Sequence, residues 1–313
     1  MARAHVDPEA WAKKAKKRRI WLISLASVLL ITCGTVWLLK GVILPERRNR
    51  EAYARAEEAL AQGNVQEAID EFSLLWDYKD AKERASELAG SQQPDDSFFR
   101  TLRNTQLGDS LTFGVWEQDG NLENGPEPIE WIVLAEDDGR VLLFSNLVLD
   151  QVPYHEKKEN ITWADCSLRV WLNDTFYQGA FTREERALIS KTVLQNVGNQ
   201  ASGAEGGVDT EDYVFILSLN EVIAFASCNP NIPGLYAYPT PYAISRGLDL
   251  HEDWKTCCWW FRTPGVDQSC AAFCAMNGNP LYSGTVNSKR YGVRPALWVF
   301  APGRSQTLSD PQE

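Results

Sequence analysis

Two arginines stand where the chain gives them little company except apolar side chains. Arg262 sits in Trp259-Trp260-Phe261-Arg262-Thr263-Pro264-Gly265, and Arg294 sits in Gly292-Val293-Arg294-Pro295-Ala296-Leu297-Trp298. On alternating strands Arg262 shares a face with Cys258 and Trp260, and Arg294 with Ala296, Trp298 and Phe300. A guanidinium on such a face either clamps a carboxylate or sugar ligand or pairs with a buried carboxylate. Trp260, with Trp259 and Trp298, offers either a sugar-stacking platform or core. Between the two stretches lie Asn277, Asn279, Tyr282, Ser283, Asn287 and Lys289, polar residues of a final hairpin and the better ligand candidates, because exposed loops on a rigid sheet carry binding chemistry. Cys270 and Cys274 are four apart, so on a strand they share a face at about 13 Å, too far for a disulfide between them. No Ser-His-Asp order, paired catalytic carboxylates, P-loop or dinucleotide fingerprint is present. The three histidines, His5, His155 and His251, are far apart, which argues against a histidine-rich metal centre.

The elements that must position these residues begin with an anchor. Residues 1–19 carry seven Lys/Arg against Asp7 and Glu9, a balance of +5, so the net −11 of the 313-residue chain leaves −16 in the remainder. So acidic a body does not suit nucleic acid, which is bound mainly through Lys and Arg. Ile20–Leu39 is apolar apart from Ser24, Ser27, Thr32 and Thr35, with Trp21 and Trp37 near its ends. Twenty helical residues span about 30 Å, the thickness of a bilayer core. The cationic cluster Lys13–Arg19 predicts a cytoplasmic N-terminus and an outward-facing body, a single-pass cell-membrane protein whose first partner is the lipid bilayer at Ile20–Leu39. The residues after Lys40 offer no small-x-small cleavage site, against a cleaved signal peptide.

Arg48 to Ala89 reads as helix, punctuated by Gly63-Asn64 and by Asp77-Tyr78-Lys79-Asp80. Leu60, Gly63, Ala68 and Phe72 resemble part of a tetratricopeptide repeat, but one repeat and a fraction is too little for a solenoid. The segment is either a partner-binding hairpin or a docking support for the C-terminal domain. The expected organisation is a basic tail (1–19), a transmembrane helix (20–44), a helical spacer (45–90), a linker (91–104), an outer domain (105–301) and a tail (302–313).

Within the outer domain, Asp109–Trp116 alternates as a strand, and Ile129–Ala135 and Arg140–Asn146 form a hairpin across Asp137-Asp138-Gly139. Thr162 and Thr182 each open a capping box, predicting one helix carrying Leu168, Trp171, Leu172 and Phe176 and another through Leu188 and Ile189. Asn196–Gly207 is a loop, Tyr213–Leu217 a buried strand, and Ser218-Leu219-Asn220-Glu221 a helix start. Cys228–Pro241, with four prolines, is irregular. Strands at Cys257–Arg262, Cys270–Met276 and Tyr291–Phe300, with a short one at Leu281–Val286, complete an α+β domain of mainly antiparallel sheet with inserted helices.

These residues resemble a family. Glu130-Trp131-Ile132-Val133-Leu134, Cys166-Ser167-Leu168-Arg169-Val170-Trp171-Leu172-Asn173, Phe215-Ile216-Leu217-Ser218 and the two arginine motifs are similar, over about residues 105–300, to an uncharacterised bacterial domain family found in surface proteins of gut-associated Gram-positive bacteria. Its members often carry an anchor and helical segment in front. The closing motifs also resemble the C-type lectin fold, shared by formylglycine-generating enzymes and phage receptor-binding domains, which implies a C-type-lectin-like sheet with two or three inserted helices. That likeness suggests comparing Cys270 and Cys274 with the copper-binding cysteine pair of those enzymes, although Ala271, Ala272 and Phe273 do not match the enzyme motif. The calcium-binding Glu-Pro-Asn or Gln-Pro-Asp signature is absent, so no cofactor is expected. Six cysteines lie after the anchor, an even number that permits disulfides in an outward-facing domain.

The expectation is a membrane-anchored surface protein whose outer domain binds a glycan, cell-wall component or protein ligand without catalysis, through Trp260, Arg262, Asn277, Asn279, Tyr282, Asn287 and Arg294. The alternatives are an oxidase using Cys270 and Cys274, or a scaffold acting through the helical spacer.

Overall fold

A computed structural model describes residues 44–91, 96–137, 139–228 and 235–301. The expected membrane segment Ile20–Leu39 lies outside the described residues, and among those described no helix is long and apolar enough to cross a membrane. The chain divides into two units, Met1–Arg55 and Ala56–Glu313. In the first, the described residues begin helix α1 (Leu44–Ala61), whose Arg47 and Glu51 form an exposed ion pair at 2.8 Å.

The second unit opens with the end of α1 and continues into α2 (Val65–Leu74), α3 (Ala81–Ser91) and α4 (Asp96–Asn104). Gly63, at φ +81°, makes the turn between α1 and α2 that Gly63-Asn64 announces. Alanines let these helices approach closely: Ala56 and Ala59, Ala68, and Ala81, Ala85 and Ala89 are all buried, with Ile69 and Phe72 filling the space between. Arg84 pairs with Glu57 and lies 4.8 Å over the Phe72 ring. Helix α4 occupies most of the stretch expected as a linker. Its Phe98 stacks on Phe113 at 4.9 Å and its Leu102 is fully buried, so the polar composition before it conceals an apolar helix face.

The sheet begins with β1 (Ser110–Trp116), β2 (Glu127–Asp137) and β3 (Arg140–Ser145). A 3₁₀ turn at Trp163–Asp165 leads into α5 (Ser167–Trp171), which passes through a π-helical stretch, Leu172–Phe176, into α6 (Tyr177–Ala180); α7 (Arg183–Arg186), β4 (Ile189–Ser190), β5 (Thr192–Leu194) and β6 (Thr210–Asp212) come next. Then come α8 (Leu219–Cys228), α9 (Pro241–Ser245), β7 (Trp259–Pro264), β8 (Cys270–Cys274), β9 (Pro280–Thr285) and β10 (Ala296–Phe300). One five-stranded sheet runs β1-β2-β3-β10-β4, a second runs β7-β8-β9, and β5 pairs with β6; every ladder is antiparallel. The fold is therefore α+β with helices inserted between antiparallel strands.

Several local expectations change. Thr162 makes no side-chain cap; the Cys166 thiol accepts from Arg169 N instead, so the helix starts at Ser167. The Thr182–Glu185 capping box forms, but its helix lasts one turn because Ile189 pairs with Val299 of β10. Tyr213–Leu217 is buried mostly as expected, but pairs only through the bridge Phe215–Ala296. The two arginine motifs fall in different sheets and meet at Gly292, which donates to Cys258 O at 2.9 Å and accepts from Trp260 N at 3.1 Å.

Trp131, Trp163, Trp259, Trp260, Phe176, Phe215 and Phe261 are all fully or almost fully buried. Each buried tryptophan removes roughly 150–250 Å² from water, about 4–6 kcal/mol of transfer free energy before ordering costs. Their indole N–H groups are satisfied in place: Trp131 donates to Phe113 O at 2.6 Å, Trp259 to Leu235 O at 2.9 Å and Trp260 to Val152 O at 3.1 Å.

Candidate functional site

Both arginines of the sequence motifs are buried and face partners within the protein. Arg262 is 4% exposed and pairs with Glu221 at 2.9 Å, while Nη1 donates to Ile216 O at 2.8 Å and Nε to Asn196 Oδ1 at 3.1 Å. This is the buried ion pair that the strand pattern offers as one alternative. Arg294, equally buried, has a different solution. Its guanidinium lies 4.0 Å over Phe144 and 5.0 Å over Trp259, and donates to Ser145 O at 3.0 and 3.2 Å and to Asn146 O at 3.3 Å. Burial lowers its pKa to about 10, which still leaves it charged at neutral pH. Trp260 is fully buried against Tyr154 and Tyr291. These three residues brace the fold.

A surface cleft forms where the final hairpin meets the segment before β7. One lobe, about 480 Å³, is lined by Asp249, His251, Trp254, Cys258, Phe273, Ala275, Met276, Asn277, Leu281, Arg290 and Tyr291. A second, about 360 Å³, is lined by Tyr236, Tyr238, Trp254, Thr256, Met276 and Asn277. The lobes share Trp254, Met276 and Asn277. Both volumes fall within the range of about 300–1,000 Å³ usual for small-ligand sites.

The exposed rings are held by short-range geometry. Ala237 bridges Cys257 and is buried, so alternation turns its neighbours Tyr236 and Tyr238 outward, at 45% and 49% exposure. Thr240, N-cap of α9, and Val148, which donates to Tyr238 O at 2.9 Å, pin this proline-rich segment. Trp254 is 54% exposed, and its indole stacks on His251 at 4.1 Å and 7°. His251 Nδ1 accepts from Asp253 N and Trp254 N, at 3.2 and 3.3 Å, which leaves the proton of the neutral ring on Nε2. His251 N also donates to Thr256 O, Lys255 N donates to His251 O, and Lys255 takes φ +60°. A left-handed lysine costs about 1–2 kcal/mol, so this turn holds Trp254 outward against local strain.

The opposite wall is the hairpin tip. Ala275 N donates to Asn279 O and Gly278 N to Ala275 O, both at 2.8 Å. Gly278 has φ +84°, and a Cβ there would meet Tyr236 N at 3.3 Å, so glycine lets the tip close on the tyrosine segment. The floor is Phe273 and Tyr291, 4.4 Å apart, with Trp260 behind Tyr291 at 4.2 Å. At the rim, Arg290 and Asp249 form an exposed ion pair at 2.9 Å. Of the hairpin residues singled out by sequence, Asn277 lines both lobes. Asn279 is exposed on the turn, Tyr282 is half-buried with its carbonyl accepting from Val266 N, and Asn287 is exposed beyond β9. Sequence reasoning missed Tyr236, Tyr238, His251, Trp254 and Arg290 as cleft residues.

The geometry bears on other chemistry too. Cys166, Cys257, Cys258, Cys270 and Cys274 are free thiols. Cys270 faces Thr285 and Cys274 faces Pro280 across the β8–β9 ladder, so the two cysteines stay four strand positions, about 13 Å, apart. Cys274 Sγ donates to Leu235 O at 3.1 Å, and burial raises its pKa to about 12. Cys258 lies in the cleft wall, but burial raises its pKa as well, away from the thiolate a nucleophile needs. Glu117, Asp119 and Glu127 bring carboxylate oxygens within 4.8 Å of one another, but these accept from Gln118 N, Gly120 N and Asn121 N and so are spent on shaping their own loop. Asp212 is fully buried on Arg169 at 2.6 Å and Trp163 Nε1 at 2.9 Å, a structural role.

Residues 138–301 match the family described as Domain of unknown function (DUF6273). The chain belongs to that family. The cleft, built between Tyr236 and Tyr291, lies wholly inside the matched segment, whereas β1 and β2, which complete the larger sheet, lie before it. No curated protein and no solved structure matches the chain.

Proposed function

We propose that this protein is a membrane-anchored surface protein whose outer domain binds a glycan or glycan-bearing cell-wall component, without catalysis, in the cleft around Trp254. Ile20–Leu39 and the cationic cluster before it support the anchor and the outward orientation. The observation that carries the binding reading is the Trp254 indole, 54% exposed yet held face-to-face on His251 within a strained, hydrogen-bonded turn. An exposed aromatic fixed before binding loses little freedom on meeting a sugar ring, and its face is left free to stack. Asn277, Asp249 and Arg290 supply hydrogen-bonding groups at the rim. The Trp259–Gly265 and Gly292–Leu297 motifs support a C-type-lectin-like reading of the fold that presents the cleft.

The test is a binding screen of the full chain in detergent or nanodiscs against glycan, peptidoglycan and surface-protein arrays, beside Trp254→Ala and Asn277→Ala. Both changes sit at the surface and leave the core intact. Signal on glycan or peptidoglycan features that falls at least about tenfold in Trp254→Ala, about 1.4 kcal/mol of binding free energy, supports the proposal. Binding that is indifferent to Trp254 refutes the site, and a wild type that captures only proteins refutes the ligand class.

A further inference from the structure

We infer that the cleft takes a neutral, linear oligosaccharide of at least two sugar units, laid across both lobes with the Trp254 indole between them. This rests on the cleft being the binding site, and adds ligand length and charge. The length argument comes from the shared wall. Trp254, Met276 and Asn277 border both depressions, so the two lobes adjoin across a shared wall and one ligand can reach into both. Each lobe has its own aromatic surface. Tyr236 and Tyr238, perpendicular to each other at 6.2 Å, serve one lobe, and Phe273 and Tyr291 serve the other. A single ring in either lobe meets Trp254 and one aromatic pair; only a chain meets all of them.

The charge argument comes from the rim. The formal charges in the cleft are Asp249 and Arg290, and these neutralise each other at 2.9 Å. A uronate or phosphate at Arg290 would also meet the negative charge of Asp249, and an ammonium sugar at Asp249 would also meet the positive charge of Arg290, so neither sign of ligand gains a net attraction from the rim. Hydroxyls need no such exchange. Arg290 gives Nε to Asp249 and, with 76% of its side chain exposed, keeps its terminal nitrogens for ligand oxygens; Asp249, 49% exposed, keeps lone pairs for ligand hydroxyls. Exposed ring faces beside such groups match the two surfaces of a neutral sugar, C–H on its faces and O–H around its edge.

The experiment titrates the full chain in nanodiscs, by tryptophan fluorescence and calorimetry, with N-acetylglucosamine and cello-oligosaccharide series of one to four units. Oligogalacturonides of the same lengths serve as the anionic match. The expected result is a Kd that falls at least tenfold between one and three neutral units and then levels off, with no gain for the uronates. Trp254→Ala should weaken every length, whereas Tyr238→Ala should weaken the trimer more than the monomer and so shrink the gain with length. A monosaccharide that binds as tightly as the trimer, or a uronate that binds more tightly than its neutral counterpart, overturns the inference; if Trp254→Ala still abolishes that binding, the cleft stands as the site. Saccharide binding unaffected by Trp254→Ala overturns both readings. Failure to bind any saccharide also overturns the inference.

Discussion

The helices before the sheet pack onto it as part of one core, and removing one ring tests this. Trp76 lies just after α2 and is 9% exposed. It meets Phe300 of β10 at 5.9 Å, and the Arg140 guanidinium lies 3.7 Å over its ring and 5.2 Å from Trp298. Arg140 is itself buried and pairs with Asp137 at the β2–β3 turn. Trp76→Ala therefore removes a buried indole, opens a cavity and takes away half of the aromatic lining around a buried cation. Truncations of this kind cost about 3–5 kcal/mol, with roughly 0.5–2 kcal/mol of that from the cation–π contact. For a unit of this size each kcal/mol lowers Tm by roughly 2–4 °C, so the drop should be about 6–20 °C. The assay is thermal unfolding of the full chain, followed by far-ultraviolet dichroism for the helices and near-ultraviolet dichroism for the aromatic core. Both probes should shift together. A double-mutant cycle with Trp298→Ala should show coupling of about 0.5–3 kcal/mol through Arg140. Were the helices an independent stalk, Trp76→Ala would lower a separate helical transition and leave the core where it was. That outcome, or a loss below about 1 kcal/mol, would refute the reasoning.

Other consequences rest on single groups. Burial raises the Asp70 pKa above its ordinary 3.8, against the opposing hydrogen bond from the Tyr213 hydroxyl, so the folded protein holds that proton more tightly than the unfolded chain does. Its contribution to stability is full below 3.8 and is lost as pH rises through the folded value; Asp70→Asn should flatten this part of the urea-midpoint profile and raise the neutral-pH midpoint. Gly292→Ala places a Cβ 2.2 Å from Val148 Cγ1 at the point where the two arginine motifs join, and should cost about 1–3 kcal/mol in chemical denaturation. Burial raises the Cys166 and Cys274 thiols to about 12 and pushes up Cys257 as well, whereas Cys258 and Cys270 are only partly covered. Among these five, alkylation followed by peptide mass mapping should modify Cys258 and Cys270 first, with Cys166, Cys257 and Cys274 slower by on the order of tenfold or more until unfolding.

Where a segment's own pattern decides its conformation, the sequence was a good guide. The β2–β3 hairpin lies across Gly139 at φ +96°, and Ser218 and Glu221 exchange capping hydrogen bonds at the start of α8. Reading failed where a distant strand decides. The Thr182 helix stops because β10 claims Ile189, and Tyr213–Leu217 pairs only once because Asn173 takes the backbone N–H groups of Tyr213 and Val214. The cleft was harder to see, because tryptophan reads the same in a core and at a surface. The usable signal lay in the neighbours. Trp259 and Trp260 sit among Cys258 and Phe261, whereas Trp254 sits among His251, Glu252, Asp253 and Lys255. An indole in a charged segment has no apolar face of its own element to join, and its exposure is the result.

The motif arginines and the cleft divide the work between them. Arg262 ties β7 to the Ile216–Glu221 segment, and Arg294 ties the residues leading into β10 to the carbonyls at the end of β3. Both close the seam between the two sheets, where backbone carbonyls would otherwise be buried without donors. A guanidinium can satisfy several such carbonyls at once from one fixed plane, and lysine cannot reproduce that. The recognisable motif thus ties β7 and the residues leading into β10 to the segments they pack on. The rings that meet solvent come from adjoining turns, Tyr236–Tyr238, His251–Thr256 and Ala275–Asn279, which the motif supports without specifying. Substituting those turns should change what is bound while stability stays near that of the wild type, whereas substituting either arginine should cost stability first and binding only as a consequence.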